Sequence, residues 1–256
     1  MLDGFKSAIV STGNILSLNN ITKNPKNPTE DLVESLTTTL NEYKNGGPLK
    51  SSDSIIIRRK NDDTPLKLSS EDVSKCKIGL KLFLDSDEPS RIKEAIEKAF
   101  QTLNVDSANN LVVSYYSHCQ QPKEEDTLGK IKSIWSILEG YVNSKKIHQI
   151  GIADIEENMF KEVYEWASVK PSIIQINLAT CCVVPPTLQE FCTMHGIQLL
   201  THSDPSCILP ESSLEFLFGS SVKLNWVIRF LVHIKCRGVL ITKGYLVSIT
   251  KQHPSS

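Results

Sequence analysis

The stretch KKIHQIGIADIEENMFKEVYEWASVKPSIIQINLATCCVVPPTLQEFCTMHGIQLLTHSDP, residues 145–205, decides the fold. It holds three short apolar, β-branched runs: HQIGIADI, SIIQINLATCC and IQLLTHS. Each has the length of one strand. Two segments with helical spacing separate them, residues 156–169 and 186–195. Strand, helix, strand, helix, strand with tight connections is the pattern of a parallel sheet covered by helices.

The same alternation extends upstream. Residues 77–84 (KIGLKLFL) read as a strand, 88–103 as an amphipathic helix, 111–116 (LVVSYY) as a strand and 128–142 as a helix. A charged loop is expected over 119–127. Farther upstream, residues 1–28 are polar and Asn-, Lys- and Pro-rich, an arm or a loop. A helix follows, with Thr29 as the expected N-cap and Gly46-Gly47 as its stop; residues 54–58 read as a strand and 60–70 as a loop. Downstream, residues 205–221 read as loop and short helix, 224–236 as an aliphatic helix, 239–249 as a terminal strand or hairpin, and 251–256 as a frayed tail. About seven strands alternating with about six helices predict one domain over residues 29–250. The expected fold is an α/β, (β/α)8 TIM-type barrel, modified or incomplete at its N-terminal end. No G-x-G-x-x-G or Walker A motif is present.

Charge is balanced, 28 basic against 29 acidic residues, which argues against a general affinity for nucleic acid or anionic membranes. The first residues lack the basic-then-apolar order of a signal peptide, and no apolar run reaches the roughly 20 residues of a membrane span. A cytosolic protein is expected. The seven cysteines are an odd number and read as reduced thiols. They show no zinc-type spacing, so no metal site is expected.

The central stretch resembles the aldo-keto reductase family. The matching segments are KKIHQIGIADI with its helix, SIIQIN, GIQLLTHSDP, and SKCKIGLKLFL. The likeness is greater to one branch, the modifier (regulatory) subunits of glutamate–cysteine ligase. It is carried by VESLTTTLNEY, SKKIHQIGIADI, WASVKP, QINLATCCVVPP, GIQLLTHSDP and KCRGVLITKGY. In the reductases a Tyr acid works with Asp, Lys and His to protonate a carbonyl while hydride arrives. Lys81 falls at the lysine position of that tetrad. The segment that brings Asp and Tyr has no counterpart between residues 45 and 75, and Tyr115 stands where the His belongs, with His118 three residues on. On the cofactor side Gln175 is kept as a weak remnant. Ala153-Asp154 replace a Ser-Asn pair, His202 replaces a stacking Tyr, and Asp154 and Asp204 add negative charge. The phosphate clamp is not intact around residues 241–244.

The resemblance therefore implies a barrel without catalytic residues, Lys81 being a remnant that serves as a relic or a structural ion pair. It implies no cofactor on this chain, with NADPH as a lesser alternative, and ATP and magnesium on a partner. That partner is the catalytic subunit of glutamate–cysteine ligase, in a heterodimer that improves glutamate affinity and relieves glutathione feedback inhibition in glutathione biosynthesis. The alternative is an NADPH-dependent carbonyl reductase with a rearranged site. Cys119, Cys181, Cys182 and Cys236 are candidates for a redox or partner contact. Residues 118–128 and 181–187 are candidate partner segments. His202 reads as an acid/base candidate or as a strand-end histidine with satisfied partners.

Overall fold

A computed structural model describes residues 5–18, 27–45, 53–59, 73–116, 124–177 and 184–252. Five parallel strands follow one another in space: β3 (Cys76–Leu84), β4 (Ala108–Tyr115), β5 (Ile147–Ala153), β6 (Ile173–Asn177) and β7 (Gln198–His202). Helices α2 (Pro89–Leu103), α3 (Glu124–Asn143), α4 (Glu157–Trp166) and α5 (Pro186–His195) connect them. Connections between parallel strands must cross the sheet, and an amphipathic helix does so while burying one face. Leu80, Leu82 and Leu84 meet Ile92, Ile96, Ile131 and Trp135 on that face.

The remaining strands are β1 (Ser7–Ser11), β2 (Ser54–Arg58), β8 (Val222–Ile234) and β9 (Val239–Lys251). They extend the sheet to nine strands in the order β2-β1-β9-β8-β3-β4-β5-β6-β7. On this side the second face is covered too. Helices α1 (Pro28–Lys44) and α6 (Glu211–Phe218) place Leu32, Leu36, Leu40, Leu214 and Phe218 against Phe83, Val227, Tyr245, Val247 and Val10. Strand alternation assigns the faces: Leu246 packs with α2 and α3, while its neighbours Tyr245 and Val247 pack with α1. A bulge between Leu224 and Trp226 shifts this phase, so both side chains are buried but in opposite clusters.

The sheet is curled. In a flat sheet β7 would lie four strand spacings, roughly 19 Å, from β3. Asp204, two residues beyond β7, instead touches Lys81 of β3 at 2.8 Å and Arg229 of β8 at 2.5 and 3.0 Å. The arrangement is a modified TIM-type barrel, with its parallel arc built from β3 to β7.

Three expectations are corrected. Residues 1–28 are not only an arm. Ser7–Ser11 is a sheet strand, parallel to β2 and antiparallel to β9, with Ala8 and Val10 fully buried. Residues 224–236 are not a helix but most of β8, which forms an antiparallel hairpin with β9. The α1 N-cap is Asn27, whose Oδ1 accepts the Glu30 N–H at 3.0 Å, with Pro28 in the first helical turn; Thr29 instead donates to the Ile208 carbonyl. At the other end, Lys251 and Gln252 are tied to Lys6 and Ser221 by backbone hydrogen bonds. The expected stop at Gly46-Gly47 and the loop over 60–70 lie outside the described residues.

Within the quoted stretch, Gly151 lets β5 and β6 approach. A Cβ there would sit 2.5 Å from the Ile173 carbonyl oxygen and 2.6 Å from the Ile173 Cβ. Backbone cannot yield as a flexible side-chain tip can. Gly151→Ala is expected to destabilise the fold by about 2 kcal/mol or more, read as a lower urea midpoint at unchanged slope.

Candidate functional site

The carboxyl ends of β4, β5 and β6 surround a cavity of about 910 Å³, at the end of the barrel where this architecture places its chemistry. Its lining includes Ser114, Tyr116, Asp154, Glu156, Glu157, Gln175 and Asn177. Among the described lining residues there are three carboxylates and no lysine or arginine. Beside it lies a buried ionic cluster centred on Asp204. The side chains of Lys81 and Asp204 are only 5 % and 3 % exposed, so their 2.8 Å ion pair is shielded from water. Arg229 closes a two-pronged contact on the same carboxylate. The Phe83 ring lies beneath both cations, 5.4 Å from Lys81 Nζ and 5.7 Å from the Arg229 guanidinium carbon. Asn177 Nδ2 donates to the Asp204 carbonyl at 2.7 Å.

His202 joins this cluster to the cavity. Its Nε2 lies 2.9 Å from Asp154 Oδ1, and its Nδ1 lies 3.3 Å from Asp204 Oδ2. The Nε2 contact is short and favours the protonated ring through hydrogen bonding as well as charge. Ser114 Oγ donates to Asp154 Oδ2 at 3.0 Å. On the far side Arg229 pairs across strands with Tyr245. The Tyr245 hydroxyl donates to Asp31 Oδ2 at 2.9 Å, which also binds Lys243 Nζ at 2.7 Å.

These contacts set the ionisation. Burial alone would raise the Asp204 pKa, but its bonds to His202 and Arg229 and the charge of Lys81 hold it far below the usual carboxylate range. Burial lowers the Lys81 pKa, and Asp204 only partly offsets this. Burial also disfavours the charged form of His202, but its contacts with Asp154 and Asp204 win and raise its pKa above 6.5. Burial pushes the Tyr245 and Tyr116 hydroxyls well above their ordinary value.

Lys81 lies within β3 and Gln175 within β6. Lys81 is consumed by an ion pair. Gln175 lines the cavity, and its buried Oε1 has no hydrogen-bond partner among the described residues. Asp204 does not add charge to the mouth as expected, since it is buried and paired; Asp154 does. Cys236 is exposed in the β8–β9 turn. The pairing of Cys76 with Ile234 puts that turn at the opposite end of β3 from the cavity. Cys119, Cys181, Cys182 and His118 lie outside the described residues, as do parts of the candidate segments 118–128 and 181–187. Arg229, Ser114, Asn177 and Tyr245 escaped the sequence reading. For Arg229 a signal existed: apolar residues occupy every even position from Leu224 to Val232, which is strand alternation.

Among the described lining residues a dinucleotide's phosphates would meet Asp154 and Glu156 and no free cation, while Glu157 is paired with Lys161 at 2.6 Å. An aldo/keto reductase family profile matches residues 64–204 of the chain. The chain is 30 % identical to the glutamate–cysteine ligase regulatory subunit of Homo sapiens, over 95 % of this chain and 92 % of that one. It has the same identity and coverage with the regulatory subunit of Mus musculus. It is 27 % identical to a putative glutamate–cysteine ligase regulatory subunit of Schizosaccharomyces pombe, over 74 % of this chain and 76 % of that one.

Two stability predictions follow from the cluster. Asp204→Asn leaves Lys81 and Arg229 buried without a counter-charge and is expected to cost about 3–5 kcal/mol, whereas Lys81→Met leaves the Asp204–Arg229 pair intact and costs less. Urea unfolding of the two variants checks the order. Because the folded Asp204 pKa is depressed below 3.8, its stabilisation is present above that value and is lost as pH falls through the lower folded value. The urea midpoint of Asp204→Asn is therefore expected to fall less steeply than that of the parent as pH is lowered through the acid range.

Proposed function

Because the chain belongs to the aldo/keto reductase family, in the branch of glutamate–cysteine ligase regulatory subunits, we propose that it binds a glutamate–cysteine ligase catalytic subunit as a heterodimer. In that complex it raises the partner's affinity for glutamate and weakens feedback inhibition by glutathione. ATP and magnesium sit on the partner, this chain carries no cofactor and no catalytic residue, and the complex works in the cytosol.

The observation that supports this reading most is the Lys81–Asp204–Arg229 cluster. A reductase lysine must lend its charge to a tyrosine acid so that the tyrosine gives up a proton more readily. Here that charge is spent on Asp204. Tyr245, nearest to the cluster through Arg229, is pushed toward weaker acidity and gives its proton to Asp31 in a hydrogen bond. The acidic cavity lining adds support, since it opposes an anionic cofactor.

Regulation of a partner is a coupling free energy, so the chain must contact two states of the catalytic subunit unequally. Co-purified with that subunit, the chain is expected to lower the KM for glutamate and raise the glutathione concentration needed for inhibition. If the two proteins co-elute while both constants stay unchanged, the proposal fails. Titration of the isolated chain with NADPH, followed by nicotinamide fluorescence, is expected to give no saturable signal and no carbonyl turnover. Turnover abolished by Lys81→Met would favour the reductase reading.

A further inference from the structure

Asp154 lies just beyond β5 with φ of 59°, the left-handed region that a non-glycine residue adopts only when held there. Three contacts hold it: its backbone N–H donates to the Gln175 carbonyl at 3.1 Å, Ser114 Oγ donates to Oδ2, and His202 Nε2 lies against Oδ1. This residue begins the segment 154–158, which runs into the first turn of α4 and supplies one wall of the cavity. Two of the three contacts are uncharged. The third depends on the state of an imidazole.

The other ring nitrogen has two competing partners on one residue. His202 Nδ1 lies 3.1 Å from the Asp204 backbone N–H and 3.3 Å from Asp204 Oδ2. A bare nitrogen accepts from the N–H; a protonated nitrogen donates to the carboxylate. It cannot do both. Proton uptake therefore exchanges one partner for the other, and it places a positive charge between Asp154 and Asp204.

We propose that His202 is a proton-operated clamp on the cavity mouth. Protonated, the imidazolium bridges Asp154 and Asp204 and fixes the segment 154–158 against the ionic cluster. Neutral, it accepts the Asp204 N–H at Nδ1 and keeps its one proton on Nε2 toward Asp154, so that contact loses the imidazolium charge and the segment is held more weakly. The proton comes from solvent. The charged groups facing His202 are Asp154 at the end of β5, Asp204 on its own segment, Lys81 from β3 and, through Asp204, Arg229 from β8. Lys81 opposes protonation, but its charge is screened by Asp204, and the two carboxylates prevail. The folded pKa is raised, so the clamp's stabilisation is complete below 6.5 and is lost as pH rises through the raised value.

The inference concerns the isolated chain and does not rest on the regulatory role, so either can fail without the other. It is tested by NMR titration of the full chain with labelled histidine rings, the His202 signal being the one absent from His202→Gln. The expected midpoint lies above 6.5 in the parent and moves down in Asp154→Asn. Hydrogen exchange at the amides of residues 155–158, corrected for its intrinsic pH dependence, is expected to accelerate several-fold as pH passes the midpoint. A parent midpoint at or below 6.5, a midpoint unmoved by Asp154→Asn, or exchange that ignores the transition would each overturn the proposal. Should Asp154→Asn fail to fold, the parent titration and exchange decide alone.

Discussion

The curl of this sheet depends on one carboxylate. Asp204 reaches back from the last parallel strand to Lys81 on the first and to Arg229 on the antiparallel strand beside it. A closed barrel joins its first and last strands by a backbone ladder, which distributes the work over many weak bonds. Among the described residues the ladder instead runs from β2 at one edge to β7 at the other. The approach of β7 to the opposite wall is fixed by side chains. A buried ionic contact suits this role because its cost of desolvation is recovered only in one geometry, whereas apolar packing tolerates many.

The ribbon β8–β9 makes that geometry possible. An antiparallel pair can be joined by a tight turn, here Lys235 to Gly238 with Gly238 at φ of 62°. It needs no crossover helix, so it leaves one sheet face free there for α1 and α6. That face carries Val227, Tyr245 and Val247, and α1 brings Asp31 to Tyr245 and Lys243. Arg229 stands between the two halves: on one side it binds Asp204, on the other it neighbours Tyr245. The N-terminal helix and the parallel arc are thereby linked through one continuous polar path inside an apolar setting.

The parallel arc was legible from the sequence because its information is local. Short β-branched runs, helical stripes and Gly or Pro boundaries place β3 to β7 within a residue or a few of their observed ends, and α5 begins and ends at Pro186 and His195 as the spacing predicts. Strand β1 was not legible. SAIVS is too short to stand out, and its partners lie 47 residues away in β2 and about 240 away in β9, where no local pattern points. Strand β8 was misread because its 13 residues exceed an ordinary strand and its aliphatic density hides the alternation; Val227 and Leu231 fill positions where polar residues would have revealed it. The same error hid the site. Lys81, His202 and Asp204 can each be picked out from the family pattern, but the partner that changes their meaning, Arg229, falls in a segment whose aliphatic density reads as a helix. The Lys81–Asp204 contact spans 123 residues, a separation at which only the folded chain can show pairing.

Charge allocation supports the proposal that scaffold and reductase chemistry part company in this chain. The polar path contains three carboxylates, Asp154, Asp204 and Asp31, three permanent cations, Lys81, Arg229 and Lys243, and His202, which adds a positive charge when protonated. Such a balance is what allows charges to remain in a poorly hydrated interior. It also uses up the cations. An anion arriving at the cavity does not meet Lys81, whose ammonium faces Asp204, but meets Asp154 and Glu156 on the wall, beside a Glu157 paired with Lys161. A lysine held in a satisfied buried pair is rigid and electrically quiet, which serves architecture. A lysine that polarises a neighbouring acid must keep part of its charge unspent. One side chain cannot meet both demands, and in this chain Asp204 and Arg229 decide for architecture.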